Sequence, residues 1–455
     1  MATGSFKLPI SSGSTEWVRP SDWLAMPTGI TSANQTFVGL HAVIENADNY
    51  VAFLFTTSAG QYRVDWGDGT VTLHNSNTIA QYQYNFASIS NSTLTSRGYK
   101  QAMITVTAVS GNLLTCNFQQ RYVTSPVQNQ TYSTGFLDCI LSLPNATTGS
   151  SISFGGTGSV IQRYVERFDI KTIGSCTSLS GVFSTCTSLQ SVTLFNTQNI
   201  TNTSFMFVNC SSLQSVPLFN TQSVTNMSSM FQGCTSLKSL PLFNTQNVTN
   251  ISSMFSSCSS LQSVPLLNTQ SVTNIGSMFS GCTSLQSVPL LNTQSVTLMN
   301  NMFTSCTILK SVPLFNTQNV TNMGAMFSSC SSLQSVPLFN TMNVNNMGGM
   351  FQNCASINYI PTFNTSSITT TSGTDFGNFT INSFSIDRIQ VSFSRTVGLQ
   401  NNQLSRTALV EVFNNLVNRS ATTSATITIS GNWGASALTA ADRLIATSKN
   451  WVIVG

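Results

Sequence analysis

Charge is what this 455-residue chain has least of: Asp, Glu, Lys and Arg make up 7% of it, against about 25% in an ordinary soluble domain. Between residues 172 and 374 Lys238 and Lys310 stand alone, with no acidic residue at all. Glycoside hydrolysis normally needs two carboxylates flanking the bond, and this stretch offers none. Two histidines, His41 and His74, serve the whole chain, so neither a Ser-His-Asp set nor a histidine-rich metal site can be assembled convincingly. The net charge of +4 forms no basic run, whereas nucleic-acid binding needs clustered cations. No segment approaches the roughly 20 consecutive apolar residues that cross a bilayer, and MATGSFKLPISSG lacks the basic-then-apolar order of a signal peptide. The sequence predicts no enzyme, cofactor, metal site, nucleic-acid partner or membrane insertion.

What is present is a repeat of 24 residues. Phe recurs at Phe183, Phe207, Phe231, Phe255, Phe279, Phe303, Phe327 and Phe351. Cysteine follows three places later each time, at Cys186, Cys210, Cys234, Cys258, Cys282, Cys306, Cys330 and Cys354. Leu189 opens a parallel series ending at Ile357, and an asparagine series comprises Asn196, Asn220, Asn244, Asn268, Asn292, Asn316, Asn340 and Asn364. A fixed period with apolar residues in fixed phase predicts a solenoid, whose units bury their apolar faces on one another. Solenoids serve as scaffolds and binding surfaces more often than as active sites.

One unit suggests how a coil is made. Met227, Met230, Phe231 and Cys234 fall at i, i+3, i+4 and i+7, one face of a short helix. Leu240 and Leu242 then alternate with Ser239 and Pro241, a two-residue rhythm that predicts a strand over 240–243. The proline column, from Pro217 to Pro361, suits a strand rim. The asparagine column is expected to turn inward and satisfy backbone groups at a tight corner; a row of exposed glycan-binding asparagines is the competing reading. The repeat cysteines share one phase and are expected to be free, buried thiols. Met342, Asn345, Tyr359 and Leu298 break the repeat's wording and are candidate adjustments for binding.

The flanks differ. Residues 36–112 carry short β-rich segments separated by turn residues, the pattern of an antiparallel sandwich. Within them lies Asp65-Trp66-Gly67-Asp68-Gly69-Thr70, where Asp68-Gly69 is a natural hairpin turn and Trp66 a core candidate. Two carboxylates are few for calcium, so Asp65 and Asp68 are expected to stabilise the turn. The preceding arm, 1–35, holds Trp17 and Trp23 for docking onto a partner or the sandwich. Residues 113–182 read as degenerate coils capping the solenoid, with the charged patch Arg163, Glu166, Arg167, Asp169 and Lys171 as ordinary cap surface. At the other end, Ser405 can start a helix burying Leu409, Val412, Phe413 and Leu416. A strand at 425–432, a helix opened by Thr439 and Asp442 that buries Leu444 and Ile445, and a strand at 451–454 complete the expected carboxy-terminal cap.

The wording "VTNMSSMFQGCTSLKSLPLFNT" resembles the bacterial surface-protein (BspA-like) class of leucine-rich repeats, over roughly residues 171–370. That resemblance implies a solenoid used in adhesion or surface display. Asn and Gln stand where many of its members carry Asp. The D-W-G-D-G-T stretch resembles the signature of polycystic-kidney-disease-type (PKD-like) immunoglobulin-like modules, which implies display or spacing. The ending around "GNWGA" and "LTAADR" resembles repeat proteins of phage genomes. Together these imply five parts: a docking arm (1–35), a PKD-like β-sandwich (36–112), degenerate cap coils (113–182), an α/β leucine-rich-repeat solenoid (183–376) and an α/β cap (377–455). The expected function is that of a non-enzymatic bacteriophage structural protein, a fibre or tail-associated component of the virion. Its expected partners are other virion proteins, reached through the amino-terminal region, and a host glycan or protein, with several copies in the assembly. A bacterial cell-surface adhesin is the first alternative, and a carbohydrate-degrading tail spike the second.

Overall fold

Alternating apolar residues after residue 35 pair into two packed sheets. The strands are β1 (Thr36–Val43), β2 (Tyr50–Thr57), β3 (Gln61–Asp65), β4 (Val71–Asn75), β5 (Ile79–Gln83), β6 (Lys100–Ala108) and β7 (Leu113–Asn117). They are followed by β8 (Tyr132–Ser133), β9 (Phe136–Ser142), β10 (Ile152–Ser153), β11 (Val160–Ile161), β12 (Arg167–Thr172) and β13 (Ser191–Val192). One sheet runs β13-β12-β9-β1-β6-β3-β4 and the other β10-β7-β2-β5. Phe37 of β1 lies 6.4 Å from Phe53 and 6.2 Å from Phe55 of β2, and 4.7 Å from Phe118, so aromatic rings fill the space between the sheets. This computed structural model describes residues 17–123, 132–156, 160–365, 367–368 and 376–455; the leader MATGSFKLPISSG lies outside them. Two compact units result, residues 1–223 and 224–455.

In the first unit, β9 joins two kinds of structure. Its one edge pairs antiparallel with β1 and its other edge parallel with β12, which in turn pairs parallel with β13. The coils therefore start on a ready-made sheet edge. Phe118, Phe154, Phe168, Phe183 and Phe207 follow one another at 5.0, 4.6, 5.1 and 5.5 Å, carrying a single aromatic core into the first coils. Of the stretch 113–182, read as degenerate capping coils, Leu113–Asn117 pairs with β2 and Phe136–Ser142 with β1. Those segments are strands of the two sheets.

In the second unit the expected helix of each coil is absent. Met227 to Leu237 is a chain of tight turns: the N–H groups of Met230, Cys234 and Leu237 reach the carbonyls of Met227, Phe231 and Cys234, each three residues back. Ser229 and Gly233 have φ of 54° and 74°. A left-handed residue every fourth position forbids continuous α-helix while still returning Met227, Met230, Phe231 and Cys234 to one buried side. The interrupted backbone bonds to its neighbour instead. Met227, Ser229, Phe231 and Gly233 donate to the carbonyls of Asn250, Ser252, Met254 and Ser256 at 2.8–3.0 Å.

The expected strand over 240–243 is not formed either. The strand appears as β13 in the coil that carries Thr193 where later coils carry proline, and again at β14 (Tyr359–Ile360), directly ahead of Pro361. Side chains do alternate, but with a slip at the proline. Phe243 and Thr245 are buried, Leu242 and Asn244 exposed, and Leu240 half-buried. In the equivalent earlier coil the Phe219 N–H bonds the Pro217 carbonyl, only two residues back, a bend that shifts the phase by one. The Phe rings stack at 6.0, 5.8, 5.7, 5.7 and 5.7 Å from Phe231 to Phe351. Each buried ring contributes about 1.5–3 kcal/mol.

Beyond residue 376, β15 (Arg388–Ile389) pairs with β14, and a parallel sheet orders β16 (Val397–Gly398), β17 (Ala425–Thr428) and β18 (Trp451–Val454). Helix α1 (Arg406–Asn415) is capped by the Ser405 hydroxyl and buries Leu409, Val412 and Phe413; helix α2 (Ala440–Thr447) opens with a Thr439–Asp442 capping box. Leu444, expected inside, is 63% exposed. Asp442 faces Arg406 of α1 at 2.8 and 3.0 Å, and a residue two places on points about 200° round the helix.

Candidate functional site

The asparagine column does not turn inward. Asn196, Asn220, Asn244, Asn268, Asn292, Asn316, Asn340 and Asn364 are all exposed. From Asn196 to Asn340, each side-chain oxygen accepts the N–H two residues on, at 3.0–3.2 Å. The short amide holds a turn at the rim, and its exposed position leaves the rest of the group facing solvent.

The inward position belongs to the next residue, a threonine. Thr245, Thr269, Thr293, Thr317 and Thr341 are buried. Their hydroxyls donate to the carbonyls of Asn268, Asn292, Asn316, Asn340 and Asn364 at 2.7–2.8 Å. A buried hydroxyl must be satisfied, and each one here ties its coil to the next. The signal was available in the unvarying Asn-Thr pair, but threonine at a polar corner does not reveal which neighbour faces inward.

The cysteines form a second such ladder. All eleven are buried, and none forms a disulfide. Sγ of Cys258, Cys282, Cys306, Cys330 and Cys354 lies 3.0–3.1 Å from the carbonyl of the Phe 27 residues earlier. Burial pushes the thiols of Cys258, Cys306 and Cys354 up, and those of Cys116, Cys282 and Cys330 to about 12. A raised pKa disfavours the thiolate, which is the reactive form. Phe183 and Phe207, and likewise Phe231 through Phe351, are fully buried.

The outward surface carries the remaining chemistry. Leu242, Leu266, Leu290, Leu314 and Leu338 are 60–63% exposed, a row of apolar side chains set among Gln, Asn and Ser. Met342 and Asn345 are exposed, and the Tyr359 hydroxyl donates to Gln390 Oε1 at 2.6 Å. Leu298 occupies a second asparagine column, Asn226-Asn250-Asn274-Leu298-Asn322-Asn346, whose members are joined by parallel backbone bridges.

The Asp65–Gly69 turn uses its carboxylates internally. Asp65 accepts the Gly67 N–H at 3.1 Å and meets Arg63 at 3.3 Å; Asp68 accepts from the Thr70 N–H at 2.9 Å and the Tyr82 hydroxyl at 2.7 Å. Trp66 is fully buried and stacks on Tyr82 at 4.9 Å. Gly67 has φ of 79°, and a Cβ there would lie 2.5 Å from the Met103 backbone. Among the described residues no group of three or more His, Cys, Asp or Glu side chains is placed to hold a metal ion. No helix among them is long and apolar enough to cross a membrane.

The charged patch is not plain cap surface. Asp138 is fully buried between Arg19 at 2.8 Å and Arg167 at 3.1 Å. Buried Glu166 pairs with Arg97 at 2.5 Å and accepts from the Trp17 indole at 3.2 Å. Arg167 and Lys171 hold Asp169 at 2.9 and 2.8 Å. Trp23 is buried with Leu40, Tyr99 and Leu137 and donates to the Tyr99 hydroxyl at 2.7 Å. These contacts seat the described part of the arm on the sheets.

Residues 177–290 and 286–383 match a family model described as "Mycoplasma protein of unknown function, DUF285". No curated protein matches the chain. Among solved structures, a leucine-rich-repeat protein of T. pallidum is 26% identical over 34% of this chain and 69% of its own, with a TM-score of 0.27. A leucine-rich-repeat protein of Eubacterium ventriosum is 16% identical over 49% of this chain and 63% of its own, with a TM-score of 0.30. A leucine-rich cell-surface protein of Faecalibacterium prausnitzii is 16% identical over 62% of this chain and 86% of its own, with a TM-score of 0.31. The matched family region, 177–383, spans the regular coils.

Proposed function

We propose that this chain is a non-enzymatic attachment protein that displays its coils at a surface. The observation that carries the proposal is the outer face of the coils: amide and hydroxyl side chains with a leucine row, no acidic residue from 172 to 374, and every thiol buried. Such a face supplies no carboxylate pair for hydrolysis and little charge repulsion against a neighbouring chain. The two-sheet body, whose Asp65–Gly69 turn resembles PKD-like modules, serves as the base. The carrier is a bacteriophage particle, in which the protein is a fibre or tail-associated component; the resemblance of the carboxy-terminal segment to phage repeat proteins supports this. Its partners are other virion proteins and a host-surface glycan or protein. Mass analysis and immunogold labelling of purified particles test the assignment. Stoichiometric presence on particles is the expected result. Absence from particles with recovery on a bacterial envelope assigns the adhesin instead, and release of reducing sugar from host polysaccharide overturns the non-enzymatic role.

A further inference from the structure

The later coils change their wording on one rim. Where earlier coils carry Ser228-Ser229 and Ser252-Ser253, later ones carry Asn300-Asn301, Gly324-Ala325 and Gly348-Gly349. A cleft of about 510 Å³ lies on these coils. Its walls include Asn300, Asn322, Asn346 and Gln352, and no ionisable side chain lines it.

The amides are held in fixed orientation. Asn322 and Asn346 accept the N–H groups of Gly324 and Gly348 through Oδ1, both at 2.9 Å. That fixes Oδ1 toward the backbone and leaves Nδ2 as the outward donor. Among the described residues, neither Nδ2 nor the Asn300 and Gln352 side-chain amides have a hydrogen-bond partner. Glycine keeps the floor open: a Cβ at Gly324 would sit 3.1 Å from Asn346 Nδ2 and 3.3 Å from Asn322 Oδ1, crowding the amides. The result is a pair of amides one coil apart, Asn322 and Asn346, flanked by Asn300 and Gln352 over the glycine positions 324 and 348.

We propose that this cleft binds an uncharged carbohydrate chain. Each sugar hydroxyl both donates and accepts, which matches side-chain amides carrying two donors and an acceptor. Glycine lets a ring approach the backbone closely. A charged ligand would surrender its hydration without meeting a counter-charge. A peptide added as a strand would need open backbone groups, yet the rim's own are engaged: Asn301, Ala325 and Gly349 donate to the carbonyls of Gly324, Gly348 and Gly377 at 2.8–2.9 Å. This site deepens the attachment role and rests on it, but its binding is measured on purified chain, independently of where the protein is mounted.

The experiment presents the full chain to an array of neutral hexose and N-acetylhexosamine oligomers beside sialylated and sulfated ones. The best neutral oligomer is then titrated against wild type, Gly324→Ser with Gly348→Ser, and Gln352→Ala. The serine variant restores the residue that earlier coils carry, so folding is expected to persist, checked by an unchanged Tm. Binding to neutral oligomers, weakened tenfold or more in the serine variant and severalfold in Gln352→Ala, is the expected result. Binding confined to charged glycans, no glycan binding at all, or equal binding by wild type and a folded serine variant overturns the proposal. A loss of glycan binding with the protein still found on particles separates failure of this site from failure of the attachment role.

Discussion

At the scale of the residue, single polar groups hold neighbouring coils in register. The Thr293 hydroxyl is buried and donates to the Asn316 carbonyl at 2.8 Å, while Thr297 makes a like bond at an exposed rim. Removing a buried donor costs about 1–3 kcal/mol, so Thr293→Val is expected to lower the urea midpoint clearly and Thr297→Val hardly at all. His41 supplies a second case. Its Nε2 accepts the Gly135 N–H at 2.9 Å, its Nδ1 has no partner, and burial pushes its pKa down to about 3. Because the unfolded chain takes up a proton near pH 6.5 and the folded chain does not, the stabilisation is complete above 6.5. It is lost as pH falls toward 3, by up to about 1.4 kcal/mol per pH unit. Urea midpoints measured across that range should slope in the wild type and flatten in His41→Gln.

At the scale of the element, the repeat period was legible in the sequence and the backbone path was not. Met227, Met230, Phe231 and Cys234 share a buried side as their spacing implied. A turn chain with left-handed residues at Ser229 and Gly233 produces the same spacing as a helix, and serine gives no warning of a positive φ. Similarly, Leu242 reads as inward until the bend after proline shifts the phase. The carboxy-terminal helices were readable because their caps, Ser405 and Thr439 with Asp442, are local signals that depend on no distant partner. The cleft on the later coils escaped notice because glycine and asparagine at a turn look like turn chemistry. Far-UV circular dichroism separates the two backbones: α1 has 10 residues and α2 has 8, so the helical signal should be weak. One helical segment per coil would make it strong.

At the scale of the whole molecule, charge is placed in the sheets of the first unit and in the carboxy-terminal cap and withheld from the regular coils. Asp138, fully buried between Arg19 and Arg167, is expected to be costly to neutralise. Asp138→Asn should destabilise the first unit by about 3–5 kcal/mol, the usual cost of breaking a buried pair, seen as a lowered thermal midpoint. The coils rely instead on a dry interior of stacked Phe rings and thiols bonded to carbonyls of the preceding coil. Thiol labelling of the native full chain, counted by mass, tests that interior most directly. All eleven cysteines should resist an alkylating reagent until denaturant is added and then react together. Rapid native labelling of several cysteines from the Cys186–Cys354 series would contradict the account.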